Sequence, residues 1–198
     1  ATAAQAAGPW RDFVEWLPAD AAGTPVALAR CERLAKGLRP GQQLELDGPT
    51  GERTAYTLPP RGPVLCVAAT PEGAAAQLAT VLAAGCTALF VADAAVDDWL
   101  ARLQKAVPSL AAHVRSVDDA DADALDIAAL LFEGDGDALR RWNARLAARE
   151  GPIVQSAGLS SGDLRAGEDY PIERLLLERS SSVNTAAAGG NASLMAIG

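Results

Sequence analysis

The spacing of apolar positions changes character near residue 59. Before it, residues 10–17 (WRDFVEWL) put Trp10, Phe13, Val14 and Leu17 on one helical face and stop at Pro18. Residues 24–38 predict a second helix, with Thr24 as its cap, Pro25 at its first position and Pro40-Gly41 at its exit. QLELDGPTGERTAYTL then alternates in two short runs about Gly48-Pro49-Thr50-Gly51. That pattern predicts a β-hairpin pairing 43–47 with 53–58.

Past Pro59-Pro60, continuous apolar runs alternate with helix-spaced ones. Residues 63–69 (PVLCVAA), 87–92 (TALFVA), 127–132 (IAALLF) and 153–155 (IVQ) predict strands covered on both faces. One helix is expected at 70–84, opened by Thr70-Pro71 and closed by Gly85. Another is expected at 93–106, capped by Asp93 and stopped by Pro108. A third, at 137–150, sets Leu139, Trp142 and Leu146 on one face and ends at Gly151-Pro152. Residues 109–114 add a turn of helix, and the acidic run 118–123 (DDADAD) reads as a solvated loop. Strand–helix–strand repeated in this way needs crossover connections. The expected fold class is therefore α/β, a Rossmann-like parallel sheet with flanking helices, preceded by a helical pair and a β-hairpin. Residues 156–169 read as a polar link. Residues 170–183 fit either a helix face (Ile172, Leu175, Leu176, Arg179) or a long edge strand, and beyond Val183 no periodicity survives. The division read from this is a linker at 1–8, a Rossmann-like domain at 9–169 and a separate segment at 170–198.

Composition narrows the classes. The 198 residues, 49% hydrophobic and 21% charged, suit one α/β domain with appended arms. The opening ATAAQAAGP lacks Met, so the chain is expected to be a fragment of something longer. A net charge of −8, with Lys and Arg scattered, would repel a phosphate backbone, so direct nucleic-acid binding is not expected. Three cysteines without CxxC spacing predict neither a disulfide framework nor a zinc site, and a reducing cytoplasm is the simplest location. No signal peptide and no long apolar window are present, so no membrane span is expected.

Candidate chemistry is sparse. Gly134-Asp135-Gly136-Asp137-Ala138-Leu139 follows the third predicted strand, where a dinucleotide fingerprint belongs. It starts as G-x-G but ends on Leu139, and Glu133, Asp135 and Asp137 surround it with charge that repels a diphosphate. A tight strand-to-helix turn with acidic caps fits it better. The turn after the first strand has one glycine, Gly73, beside Glu72, and residues 48–53 lack the GK[ST] of a phosphate-binding loop. Cys66 falls mid-strand and Cys31 within a helix, which leaves Cys86, at an element end, as the candidate reactive thiol. His113 is the only histidine, which rules out a site built from two. No catalytic, cofactor-binding or metal residue is assigned. A nicotinamide-binding oxidoreductase domain with its own cofactor stays as the alternative.

Two segments carry a resemblance. YPIERLLLERSSSVNTAAAGGNASLMAIG (170–198) is similar to the C-terminus of the proline utilization A (PutA) family, and GPTGERTAYTLPPRGPVLCVA (48–68) resembles the matching segment of its longer members. In that family proline dehydrogenase and pyrroline-5-carboxylate (glutamate semialdehyde) dehydrogenase share one polypeptide. The resemblance implies the C-terminal domain of a bifunctional or trifunctional member, with an aldehyde-dehydrogenase-superfamily-like fold and a protruding β-flap at 170–198. It implies a non-catalytic domain, and the superfamily's Gln-x-Cys and ELGG-type segments are missing from this sequence. Such a domain packs on the aldehyde dehydrogenase module of the same polypeptide or of a neighbouring protomer. There it covers the substrate-channelling tunnel and supports dehydrogenase activity. FAD and NAD would belong to the parent protein and no cofactor to this domain. The parent would be cytoplasmic or peripheral at the inner face of the membrane, and the flap could also join copies into a homo-oligomer.

The docking motif implied by the resemblance is Ser182, Val183, Asn184, Thr185, Ala186, Ala187, Ala188, Gly189, Gly190, Asn191, Ala192, Ser193, Leu194 and Met195. Its physics agrees. Burying Leu194, Met195 or Ile197 stabilises by about 1.5–3 kcal/mol each, while fixing each backbone unit of the tail costs roughly 1–2 kcal/mol. Side-chain burial alone cannot order such a segment, so a partner groove and backbone hydrogen bonds are needed. At about 3.3 Å per residue, a tail of roughly fifteen residues reaches about 50 Å, enough to leave its own domain.

Overall fold

The computed structural model describes residues 3–37, 41, 43–47 and 52–184. The chain opens with helix α1 (Ala3–Trp16), a 3-10 turn at Leu17–Ala19 and helix α2 (Pro25–Lys36). Strands β1 (Gln43–Leu46) and β2 (Glu52–Thr57) follow, then β3 (Val64–Val67), α3 (Pro71–Ala83), β4 (Ala88–Val91) and α4 (Ala94–Ala106). A 3-10 turn at Pro108–Ala112 leads to β5 (Val114–Val117), and a second at Asp119–Ala124 leads to β6 (Ala129–Glu133) and α5 (Gly136–Ala147). The chain continues through β7 (Gln155–Leu159), α6 (Ser161–Ala166), a 3-10 turn at Ile172–Leu175 and β8 (Arg179–Asn184).

Five parallel strands form the central sheet in the order β5-β4-β3-β6-β7. Successive strands run outward from β3 to one edge and then cross back to the other side, which is the Rossmann order. Alternate residues of the strands feed two cores. Val64, Cys66, Phe90 and Leu131 face α3 and α4, whereas Leu65, Leu89, Leu130 and Phe132 face Leu146 of α5 and Ile127. Every residue of α3 from Gly73 to Leu82 is buried. Its run of alanines keeps the helix thin enough to lie between the sheet on one side and α1 and α2 on the other.

The N-terminal pair belongs to this core. Phe13 and Leu17 are fully buried, and the Trp16 and Trp99 rings meet at 6.1 Å. Trp99 donates its indole N–H to Asp20 at 3.0 Å, tying α4 to the turn after α1. Helix α1 also begins at Ala3, well before the periodicity that starts at Trp10. The stretch read as a linker is therefore helical from that point, as the high helix propensity of alanine favours.

The expected α/β class, helical pair and hairpin strands are all present. Caps fall where expected: Thr24 accepts from Ala27 N–H (3.1 Å), Thr70 from Gly73 N–H (2.9 Å), and Asp93 from Ala95 N–H (3.0 Å). The hairpin turn at 48–51 lies outside the described residues.

Three further expectations need correction, each at or next to an edge of the central sheet. Residues 114–117 form strand β5, not the end of a helical turn. VRSV buries only its two valines, so an edge strand leaves no apolar run to read. The last parallel strand is Gln155–Leu159, and Ile153, placed in it by its hydrophobicity, is 87% exposed. QSAGL pairs with β6 because its small residues let α5 come close. A Cβ on Gly158 would stand 2.6 Å from a Leu139 methyl. The supposed link at 156–169 therefore holds β7 and α6, whose start is a reciprocal cap between Ser160 and Asp163.

Candidate functional site: the sheet crevice and the β-flap

In a sheet of this order, ligands bind outside the carboxyl ends of the strands where the winding reverses, here between β3 and β6. The first residue met there is Glu133, the last of β6, which is 3% exposed. Its carboxylate reaches across to the turn that opens α3. Oε2 accepts the backbone N–H groups of Ala69 (2.8 Å) and Thr70 (2.9 Å). Oε1 accepts the hydroxyls of Thr70 (2.9 Å) and Ser161 (2.7 Å). Four charge-assisted hydrogen bonds and the positive end of α3 balance the burial of this charge. In front lies a cleft of about 390 Å³ whose lining includes Thr24, Arg30, Glu72, Ser161 and Arg165.

A polar seam runs from the crevice toward the flap. Arg30, buried on α2, donates through Nε to Asp169 (2.8 Å) and through Nη2 to the carbonyls of Leu164 (3.2 Å) and Glu168 (2.7 Å). Arg33 grips the same carboxylate with Nε (2.6 Å) and Nη2 (2.9 Å). Burial pushes the Asp169 carboxyl up, but the hydrogen bonds from Arg33 and Arg30 outweigh it and hold the group below the usual carboxylate range. Tyr170 donates to the carbonyl of Phe132 (3.0 Å) and accepts from Gln77 (3.2 Å). Leu175 and Leu176 then enter the main core.

The flap itself is a three-stranded antiparallel sheet in the order β1-β2-β8. It is rooted at its base: Leu177 N–H donates to Pro59 (2.9 Å), and Arg61 donates to the carbonyls of Arg174 (3.1 Å) and Leu176 (3.0 Å). The register Leu44↔Tyr56↔Ser180 and Leu46↔Thr54↔Ser182 puts these residues on one face. That face carries hydroxyls, two leucines, each 45% exposed, and Glu52, whose carboxylate accepts the Ser182 hydroxyl, while Glu45, Arg53 and Arg179 lie on the other.

Of the predicted docking motif, Ser182, Val183 and Asn184 end β8, in register with Thr54, Arg53 and Glu52. Thr185, Ala186, Ala187, Ala188, Gly189, Gly190, Asn191, Ala192, Ser193, Leu194 and Met195 lie outside the described residues. Both sequence alternatives for 170–183 are partly present, as a 3-10 turn and then a strand. Cys31, Cys66 and Cys86 are free and buried. Burial raises all three thiols, Cys31 to about 11, and Cys86 donates weakly to the carbonyl of Leu175 (3.5 Å). The 134–139 turn is a helix start in which Asp135 caps Ala138 N–H (2.7 Å). Among the described residues no cluster of His, Cys, Asp and Glu could hold a metal, and no helix is long and apolar enough to cross a membrane.

Sequence reasoning missed the seam. Arg30 and Arg33 fall in a predicted helix and Asp169 in a predicted link, and no local pattern announces a contact across more than a hundred residues. The leucine face was visible in QLEL, where alternation sets Leu44 beside Leu46.

No protein-family model matches the chain. It is 46% identical over 178 residues to the bifunctional protein PutA of Salmonella typhimurium (strain LT2), which is 90% of this chain and 13% of that protein. It shares 43% identity over 186 residues with the bifunctional protein PutA of Escherichia coli (strain K12), again 13% of the relative's length. The chain thus spans only a small segment of the relatives it matches. Among solved structures, proline utilization A from Bdellovibrio bacteriovorus superposes with a TM-score of 0.65 at 15% identity, over 80% of this chain and 20% of that one. An aldehyde dehydrogenase from Brucella melitensis biovar abortus 2308 gives 0.60 at 18% identity, over 81% of this chain and 39% of that one. The structural likeness speaks for the fold, and the sequence likeness for descent. The chain is a homologue of one segment of the proline utilization A proteins, folded on an aldehyde-dehydrogenase-like Rossmann layer.

Proposed function

We propose that this chain acts as the non-catalytic C-terminal module of a PutA protein. It packs on the aldehyde dehydrogenase module, covers the channelling tunnel and supports oxidation of glutamate semialdehyde. The observation that carries this reading is the flap: a leucine-bearing face, with hydroxyls and one carboxylate, Glu52, on a sheet whose strand β8 runs into the first residues of the docking motif. A three-stranded sheet this exposed has little core of its own and gains stability by burying a face against something else. Among the described residues β8 pairs on one side only, with β2, and a strand added on its other side would extend the sheet. The relatives' description as bifunctional supports a partner module in the same polypeptide. Docking on a neighbouring protomer would use the same surface and produce a homo-oligomer. The buried thiols, raised above their ordinary range, give no support to a nucleophilic role. FAD and NAD are assigned to the rest of the parent protein. Deleting residues 182–198 within the longer protein, then assaying each half-reaction separately, tests the reading.

A further inference from the structure

A helix start facing the crevice of a Rossmann sheet is a ready-made anion site, because its first N–H groups and its dipole favour negative charge. In this chain that place is taken. We propose that Glu133 is a built-in anion that occupies the diphosphate position of the crevice, so that the crevice excludes dinucleotides and anchors the arm that leads to the flap.

Three independent features converge on this. The carboxylate takes the N–H groups of Ala69 and Thr70 in the turn into α3, and Thr70 in turn takes that of Gly73, so donors a diphosphate would use are already occupied. The fit is too close to admit both anions. A single Cβ added to Gly73 would stand 1.8 Å from Oε2 of Glu133, so the glycine that brings backbone near a ligand here brings it near a side chain. Lastly, the carboxylate holds the first residue of α6 through Ser161, and α6 opens the segment that Asp169 and Tyr170 carry on toward β8. A crevice that fastens its own chain in this way gains a structural function from the geometry that elsewhere binds a cofactor. Glu72, next to Gly73 in the first turn of α3, adds a second carboxylate to a cleft that Arg30 and Arg165 also line. The inference concerns the sheet crevice alone and stands apart from where the flap docks.

The test is a thermal-shift series on the 198-residue chain with ADP and inorganic phosphate as probes. The unaltered chain is expected to show no saturable shift with either. Glu133→Ala should lower the midpoint and create a shift that rises with ADP concentration and saturates. Gly73→Ala should lower the midpoint steeply in the unaltered chain and far less in the Glu133→Ala background. A saturable ADP shift in the unaltered chain overturns the proposal. So does an equal cost of Gly73→Ala in both backgrounds, or a folded Glu133→Ala chain that ignores ADP. Should Glu133→Ala not fold, Gly73→Ala alone decides, since a harmless substitution there contradicts the close fit.

Discussion

Arg30 and Asp169 stand 139 positions apart in sequence and 2.8 Å apart in space. The pair joins α2, in the N-terminal helical layer, to the segment that carries the flap. Its guanidinium is almost wholly buried, whereas the carboxylate keeps partial contact with solvent and a second partner in Arg33. The bond therefore sets where the arm leaves the body of the domain.

Removing the guanidinium should be costly. Arg30→Ala strands two backbone carbonyls and leaves Asp169 to Arg33 alone. We expect a loss of about 2–4 kcal/mol, on the scale of breaking a buried pair. Arg30→Lys should recover only part of it, because an ammonium cannot reproduce the planar fork that reaches Asp169 and both carbonyls. Urea unfolding of the three proteins measures this, with near-equal midpoints as the contrary result.

The same carboxylate gives an acid dependence of defined sign. The folded state holds the Asp169 carboxyl below its ordinary value, so its contribution is fully present above the ordinary carboxylate pKa. It is lost as pH falls through the lower, folded-state value. Asp169→Asn should therefore flatten the decline in stability at the acid end while lowering stability at neutral pH. A decline of unchanged slope would contradict the assignment.

The thiols should be silent until the protein opens. Cys66 and Cys86 sit in the main core with their thiols raised, and Cys31 is pushed up to about 11. Titration with an aromatic disulfide at pH 8 should label none of the three in the native chain within minutes, and all of them in denaturant. Rapid native labelling of Cys86 would revive it as a reactive residue.

Charging the flap should separate docking from folding. Leu44 and Leu46 are each 45% exposed, so Leu44→Asp with Leu46→Asp should change the stability of this chain by only about 0.5 kcal/mol per site. In the longer PutA protein the same pair should impair semialdehyde oxidation and spare proline oxidation. Loss of stability in the isolated chain, or no loss of activity in the longer one, would count against the flap as the docking face.

How legible was all this in the sequence? The inner strands were plain, because VLCV and ALLF are buried on both faces and must be apolar; only Glu133, which ends β6, breaks the rule. The edges were not. VRSV buries two side chains and QSAGL is chosen for small size, so neither shows a run, and hydrophobic Ile153 pointed to the wrong place. Ser160-x-x-Asp163 did announce α6, but it stood in a stretch whose Gly and Ser content masked it. Glu133 was noted for its charge beside the G-x-G turn, and Gly73 for its position after the first strand. That the one fills the space left by the other is a relation across the sheet, which no local pattern encodes. The similarity of the tail carried the functional reading further than any feature of the fold.

The most direct test of that reading is to delete residues 182–198 from the full PutA protein and follow its two reactions separately. Proline oxidation should be largely kept, while NAD-dependent oxidation of glutamate semialdehyde and the coupled reaction should fall together. Equal loss of both activities, or of neither, would contradict the assignment of the flap and its tail as the contact that supports the dehydrogenase.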